Sequence, residues 1–122
     1  MAMSDKNVTI GEDNSIFAVA NSYTQKYYLN PIYKGLPEDI LEEVQKICVA
    51  FVEECGGILA LRFAEDGLLT LNSTHDESDY YYDDISAGLI SRRIERENEE
   101  LFEALGNYYR VKYLDLPPIE EE

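Results

Sequence analysis

The stretch ILALRFAEDGLLTLNS, residues 58–73, decides the fold class. Leu59, Leu61 and Phe63 recur at the two-residue period of a half-buried strand, and Leu69 and Leu71 continue the buried face on a return strand. Between them Asp66-Gly67 supplies a turn that tolerates positive φ, so the stretch predicts a β-hairpin.

Upstream of that hairpin lies a helix. Pro37 suits the first helical position, Glu38 and Asp39 suit the positive end of the helix dipole, and Gly56-Gly57 supply the stop. Ile40, Val44, Ile47, Cys48, Phe51 and Cys55 recur between these marks at helical spacing, with Leu41 and Val52 widening the stripe. Further upstream, SIFAVAN (15–21) and KYYLN (26–30), separated by polar residues, predict a second hairpin. Downstream, residues 80–105 read as a long helix with Ile85, Leu89, Ile90, Ile94, Leu101, Phe102 and Leu105 as its apolar positions. A straight helix of that length runs to roughly 39 Å, against roughly 35 Å for a compact chain of this size, so it should kink near Ser86-Ala87-Gly88 or project beyond the sheet. Gly106-Asn107 would end it. YYRVKYL (108–114), with Tyr109, Val111 and Tyr113 alternating, reads as a last strand. The expected fold is α+β, in the order β-β-α-β-β-α-β: an antiparallel sheet of about five strands with two helices on one face. Residues 1–13 read as a flexible arm, 14–115 as one domain and 116–122 as a disordered acidic tail.

The segments ANSYTQKYYLNP (20–31), GLPEDILEEVQKICVAF (35–51), ECGGILALRF (54–63) and LFEALGNYYRVKYL (101–114) resemble a family of small uncharacterised cytosolic proteins, a domain of unknown function, from anaerobic, largely gut-dwelling Gram-positive bacteria. The resemblance spans roughly residues 18–114. It implies a bacterial, cytosolic origin and supplies no site residue.

Ten basic residues against twenty-five acidic ones give a net charge of −15. That field repels phosphate backbones and anionic lipid and attracts basic partners, which argues against direct nucleic-acid binding. The apolar run Ile16–Ala20 is too short for a secretion signal and no stretch is long enough to span a membrane, so a cytoplasmic location is expected. Cys48 and Cys55, seven residues apart on one helix, are separated by roughly 10 Å and read as reduced core thiols.

HDESDYYYDD (75–84) gathers carboxylates, three tyrosines and the only histidine. The spacing of Asp76, Asp79 and Asp83 does not fit an EF-hand loop, which also needs a glycine at its sharp turn. A structural transition-metal site wants three or four converging ligands, so no metal and no cofactor are expected. The stretch reads as a helix start, with Ser78 or Asp79 as cap. Three consecutive helical residues span about 200°, so Tyr80, Tyr81 and Tyr82 cannot all face the core, and at least one belongs on the surface or in an interface.

No catalytic constellation emerges: the serines have only His75 as a conceivable base, and neither cysteine has an electropositive, exposed setting. Ile94, Asn98, Leu101 and Leu105 form a narrow apolar seam with one polar member, a pattern suited to helix pairing. The sequence reading is a non-enzymatic interaction module, a homodimer using Tyr80, Tyr81, Tyr82, Ile94, Asn98 and Leu101. A nucleic-acid mimic that binds a basic protein through its carboxylates, and a small-molecule sensor with an apolar pocket under the sheet, are the rival readings. Thermal melting with and without chelator should give the same midpoint; a rise of several degrees on adding calcium, magnesium or zinc would expose a bound ion, because a ligand of the native state alone raises stability.

Overall fold

The structure, a computed structural model, describes residues 14–118. The arm expected at 1–13 and the last four residues of the acidic tail lie outside the described residues.

Among the described residues the fold is α+β with one four-stranded antiparallel sheet and three α-helices. Strands β1 (Ile16–Asn21), β2 (Lys26–Leu29), β3 (Ile58–Phe63) and β4 (Leu69–Thr74) stand in the spatial order β2-β1-β3-β4. Helix α1 (Glu38–Cys55) links the two hairpins, and α2 (Asp84–Glu97) and α3 (Glu99–Tyr109) follow β4. The hairpin of residues 58–73 forms as its alternation dictates. Leu61 pairs with Leu71 and Phe63 with Leu69, so the leucines share one side of the pleat. Gly67, at φ 93°, makes the turn, and the Asp66 carboxylate accepts the Leu68 N–H at 3.0 Å.

The fifth strand does not form. Tyr109 ends α3, and Arg110–Leu114 continues as a π-helical turn closed by Asp115 in the left-handed conformation. The alternation of Tyr109, Val111 and Tyr113 is also half of a helical pattern: Leu105, Tyr109 and Tyr113 recur every four residues. The helical reading wins because it puts Tyr109 flat on Phe63, with ring centroids 4.3 Å apart and planes 4° apart, while Val111 stays 55% exposed. Gly106 does not stop the helix either. Its bare Cα faces the hairpin turn, where a Cβ would come within 2.7 Å of the Gly67 carbonyl oxygen, so this glycine serves close approach rather than termination.

The long helix is broken, but at Asn98 rather than at 86–88. Asn98 leaves helical geometry (φ −121°, ψ 30°), and both its backbone N–H (3.0 Å) and its side-chain Nδ2 (2.9 Å) donate to the Ile94 carbonyl oxygen. Its own carbonyl accepts the Phe102 N–H and starts α3. The helix also starts later than expected, at Asp84, with Asp83 as the cap.

The core is layered between the sheet and the helices. Leu59 and Leu61 from β3, Ala18 from β1, and Val44, Cys48 and Phe51 from α1 are all at most 1% exposed. A bulge between Ile16 and Ala18 turns Phe17 inward as well. Phe17 meets Tyr33, fully buried in the short 3-10 turn Pro31–Tyr33, at a centroid distance of 4.7 Å. Cys55, expected in the core, is only half-buried at the end of α1, while burial pushes the Cys48 thiol up to about 12. Ile94 is 7% exposed in this core, whereas Ile85, on the same helix, is 77% exposed. Ile94→Ala should therefore cost about 2–5 kcal/mol by urea unfolding, while Ile85→Ala should stay within about 0.5 kcal/mol; equal costs would contradict the helix orientation described here.

Candidate functional site

Helix α2 is amphipathic in an unusual sense, since it carries apolar residues on two opposite sides. Ala87 and Ile94 are buried against the rest of the fold. At about 100° per residue, Ile85 and Ile94, nine positions apart, point in opposite directions. Ile85, Leu89, Arg92 and Arg96 lie within about 60° of one another on that outer side, over about 16 Å of helix. Ile85 is 77% and Leu89 59% exposed, and Arg92 and Arg96 are also exposed. Tyr80 and Tyr81, which lead into the helix, are 90% and 97% exposed. Four large apolar side chains, Tyr80, Tyr81, Ile85 and Leu89, are thus exposed within ten residues, and exposed apolar groupings mark contact sites.

The approach to this helix is built by the residues of HDESDYYYDD. Asp76 accepts the backbone N–H (2.9 Å) and the hydroxyl (2.7 Å) of Ser78, and these bonds hold its carboxyl below the usual range. Tyr23, in the β1–β2 turn, donates its hydroxyl to Asp79 at 2.6 Å and accepts the Asp76 N–H at 3.1 Å, which ties the loop to the sheet end. Its hydrogen bond to the Asp79 carboxylate, first, and partial desolvation raise the Tyr23 phenol. Tyr82 turns inward, its ring stacked on His75 at 4.5 Å and its hydroxyl bonded to Ser73. It covers Gly57, where a Cβ would meet the Tyr82 ring at 2.8 Å. With Tyr82 held from one side and Asp83 committed to the cap, Tyr80 and Tyr81 are left on the outside.

The sequence-based site residues therefore separate. Tyr80 and Tyr81 stand at the surface, Tyr82 anchors the loop, and Ile94 faces the chain's own core. Asn98 spends its side-chain donor on the joint between α2 and α3, and Leu101 is half-buried beside it. The seam Ile94–Asn98–Leu101–Leu105 lies along the inner side, Leu105 being 2% exposed. Ile85 and Leu89, read from sequence as apolar positions of one long helix, are the apolar members of the outer side. Their placement was available from angular arithmetic, since only one of two apolar rows about 180° apart can face a single core.

The Ser73 hydroxyl is engaged by Tyr82, and the His75 imidazole lies 2.9 Å through Nδ1 from the Asp76 carbonyl oxygen and 3.9 Å through Nε2 from Asp84. Among the described residues no three His, Cys, Asp or Glu side chains converge as metal ligands, and no helix is long and apolar enough to cross a membrane. The space beneath the sheet is filled by Val44, Cys48, Phe51, Leu59 and Leu61. The grooves are at the surface, one of them running between the β3–β4 turn and α2 and lined by Leu68, Arg92, Arg96 and Phe102.

The orientation of α2 depends on its cap. Asp83 accepts the Ser86 hydroxyl (2.8 Å) and the N–H groups of Ser86 (3.4 Å) and Ile85 (3.0 Å), which hold its carboxyl below the usual range. A carboxyl depressed in the folded state adds stability that is complete above its unfolded value of about 4 and is lost as pH falls through the folded value. Asp83→Ala should lower the melting midpoint at neutral pH and flatten its decline in acid. Asp83→Asn, which still caps, should keep most of the neutral-pH midpoint while losing the acid-dependent part; identical pH profiles for wild type and Asp83→Asn would remove Asp83 from this role.

No curated protein and no solved structure matches the chain. Residues 14–116 match the family described as a family of unknown function, DUF6145, and since that span takes in all four strands and all three helices, the chain belongs to this family.

Proposed function

We propose that the chain is a small acidic, non-enzymatic protein-interaction module, acting in the cytoplasm of the bacterial setting that its resemblance implies, and that the outer side of α2 is its contact surface. The observation that carries this reading is the exposure of Ile85 and Leu89 one turn apart, directly after Tyr80 and Tyr81. Tyrosine is among the residues that interfaces favour, because it buries large area at modest rotamer cost, and Ile85 and Leu89 add apolar area beside it. Two arginines continue the same line. Three of the ten basic residues of the chain, Arg92, Arg93 and Arg96, fall within five positions of this helix. Arg93 turns aside to Glu54 of α1 at 3.4 Å, an exposed pair of small worth, and Arg92 and Arg96 remain on the contact line.

The mimic reading needs its negative charge gathered in a stripe, whereas the carboxylates here are spread along α1, the β3–β4 turn, the 75–84 loop and α3.

A photo-crosslinking residue placed at Leu89 in the native cells should give protein adducts, while the same residue at Glu42, on the exposed side of α1, should give few or none. Equal yields at the two positions, or none at either, would count against α2 as the contact surface.

A further inference from the structure

We infer that Tyr27 is a door at the β2 edge of the sheet: its ring swings out from beneath α1 while the rest of the fold stays closed, and the inner side of α1 around Cys48 is then reachable from solvent. The inference is independent of the reading of α2 as a contact surface. It starts from one atom. Among the described residues the Tyr27 hydroxyl is the one buried side-chain polar group with no hydrogen-bond partner. Native folds pair nearly all such groups, because a buried hydroxyl left alone has given up its water without a replacement. Tyr27 is therefore held closed against a penalty that disappears once the hydroxyl meets water or another partner.

The strand ladder places the ring. Tyr27 stands opposite Ala20 of β1, and Ala20 is 1% exposed, so both side chains point to the side of the sheet that α1 covers. Tyr27 packs there against the core, half-buried as a residue although its hydroxyl is fully covered. Burial, first, and the neighbouring Cys48 push its phenol above the ordinary value. Cys48, fully buried on α1, thus lies close behind the ring.

Three features make the opening local. Strand β2 is four residues long and stands at the edge of the sheet, hydrogen-bonded to β1 alone. The turn before it holds Gln25 in the left-handed conformation, at φ 56°, which a residue with a Cβ adopts at a cost. The ring also has somewhere to go. A cleft of about 610 Å³ opens beside it, between the end of the β1–β2 hairpin and α1, with Gln25, Gln45, Val49 and Glu53 in its walls. Gln25, Gln45 and Glu53 are exposed and carry oxygen acceptors, so the displaced hydroxyl exchanges isolation for an amide, a carboxylate or water. Elements that are short, exposed at an edge and strained open at a fraction of the free energy of global unfolding.

Thiol labelling of the full chain in a Cys55→Ser background, which leaves Cys48 as the sole cysteine, tests this. With methyl methanethiosulfonate as the probe, Cys48 should react faster than global unfolding, measured by urea in the same background, allows, and low urea should leave the rate unchanged. Tyr27→Phe keeps the ring and removes the unpartnered hydroxyl, so it should slow the labelling about tenfold and raise the melting midpoint. Tyr27→Ala takes the door away and should speed labelling about tenfold or more, with the far-ultraviolet spectrum unchanged. Labelling that proceeds only as global unfolding permits, or that is as fast in Tyr27→Phe as with Tyr27 in place, overturns the inference. A Tyr27→Phe midpoint below that of the parent does so as well, since the hydroxyl would then have a partner on which the fold depends. Should Tyr27→Ala fail to fold, the Tyr27→Phe comparison decides alone.

Discussion

The ring of Tyr33 has to be buried, and most of the tertiary structure is arranged to receive it. It is fully enclosed, with Phe17 at 4.7 Å, Phe63 at 5.9 Å, Tyr108 at 6.3 Å and Tyr113 at 6.0 Å between ring centroids. Its hydroxyl donates to the Asn14 carbonyl, so the phenol's polar end is satisfied within the same enclosure. Phe17 reaches it through a strand bulge, Phe63 from the end of β3, and the two tyrosines from the last helical turns. Asn30, also fully buried, holds the turn that carries Tyr33: its Nδ2 donates to the Ile16 carbonyl at 2.7 Å and its Oδ1 accepts the Ile32 N–H. Elements far apart in the chain thus converge on one side chain, and the C-terminal segment is recruited as helix because helix brings its tyrosines to that place.

The same requirement explains which parts of the fold were legible in the sequence. The 58–73 hairpin and α1 each have one period, one start signal and one stop signal in agreement, and both formed close to the expected limits. Residues 108–114 satisfy two periods at once, and local pattern cannot choose between them. The choice is made by Phe63, some fifty positions away. Gly106 misled for a related reason: a glycine inside a helix reads as a stop, but this one is small because the backbone of the β3–β4 turn passes over it. Nothing in the neighbourhood of Gly106 in sequence announces that approach.

At the candidate site the structure separates the residues that the sequence grouped. Angular crowding required only that at least one of Tyr80, Tyr81 and Tyr82 leave the core; Tyr80 and Tyr81 are exposed because they precede the helix, and Tyr82 and Asp83 are the ones held down. Ile85 and Leu89 were counted with Ile90 and Ile94 as apolar positions of one helix, with no side assigned to them. The charged stretch that follows drew attention to Ile94 as an isolated apolar residue, yet isolation in sequence there reflects deep burial on a helix whose other faces are wet. Asn98 looked like a polar residue awaiting a partner across an interface, and found its acceptor one turn back on its own helix.

That joint has a consequence for how the chain tolerates change in length. Because α2 passes into α3 through one residue, with no slack on either side, α3 inherits its rotational setting from α2. An added or missing residue at position 98 would swing every side chain of α3 by about 100°. Tyr109 would leave Phe63, Gly106 would no longer underlie the β3–β4 turn, and the tyrosines around Tyr33 would disperse. Loops elsewhere can absorb insertions at little cost, but the joint behaves like the phase setting of a gear train: residue count there is a conserved quantity of the architecture, independent of which residue occupies the position.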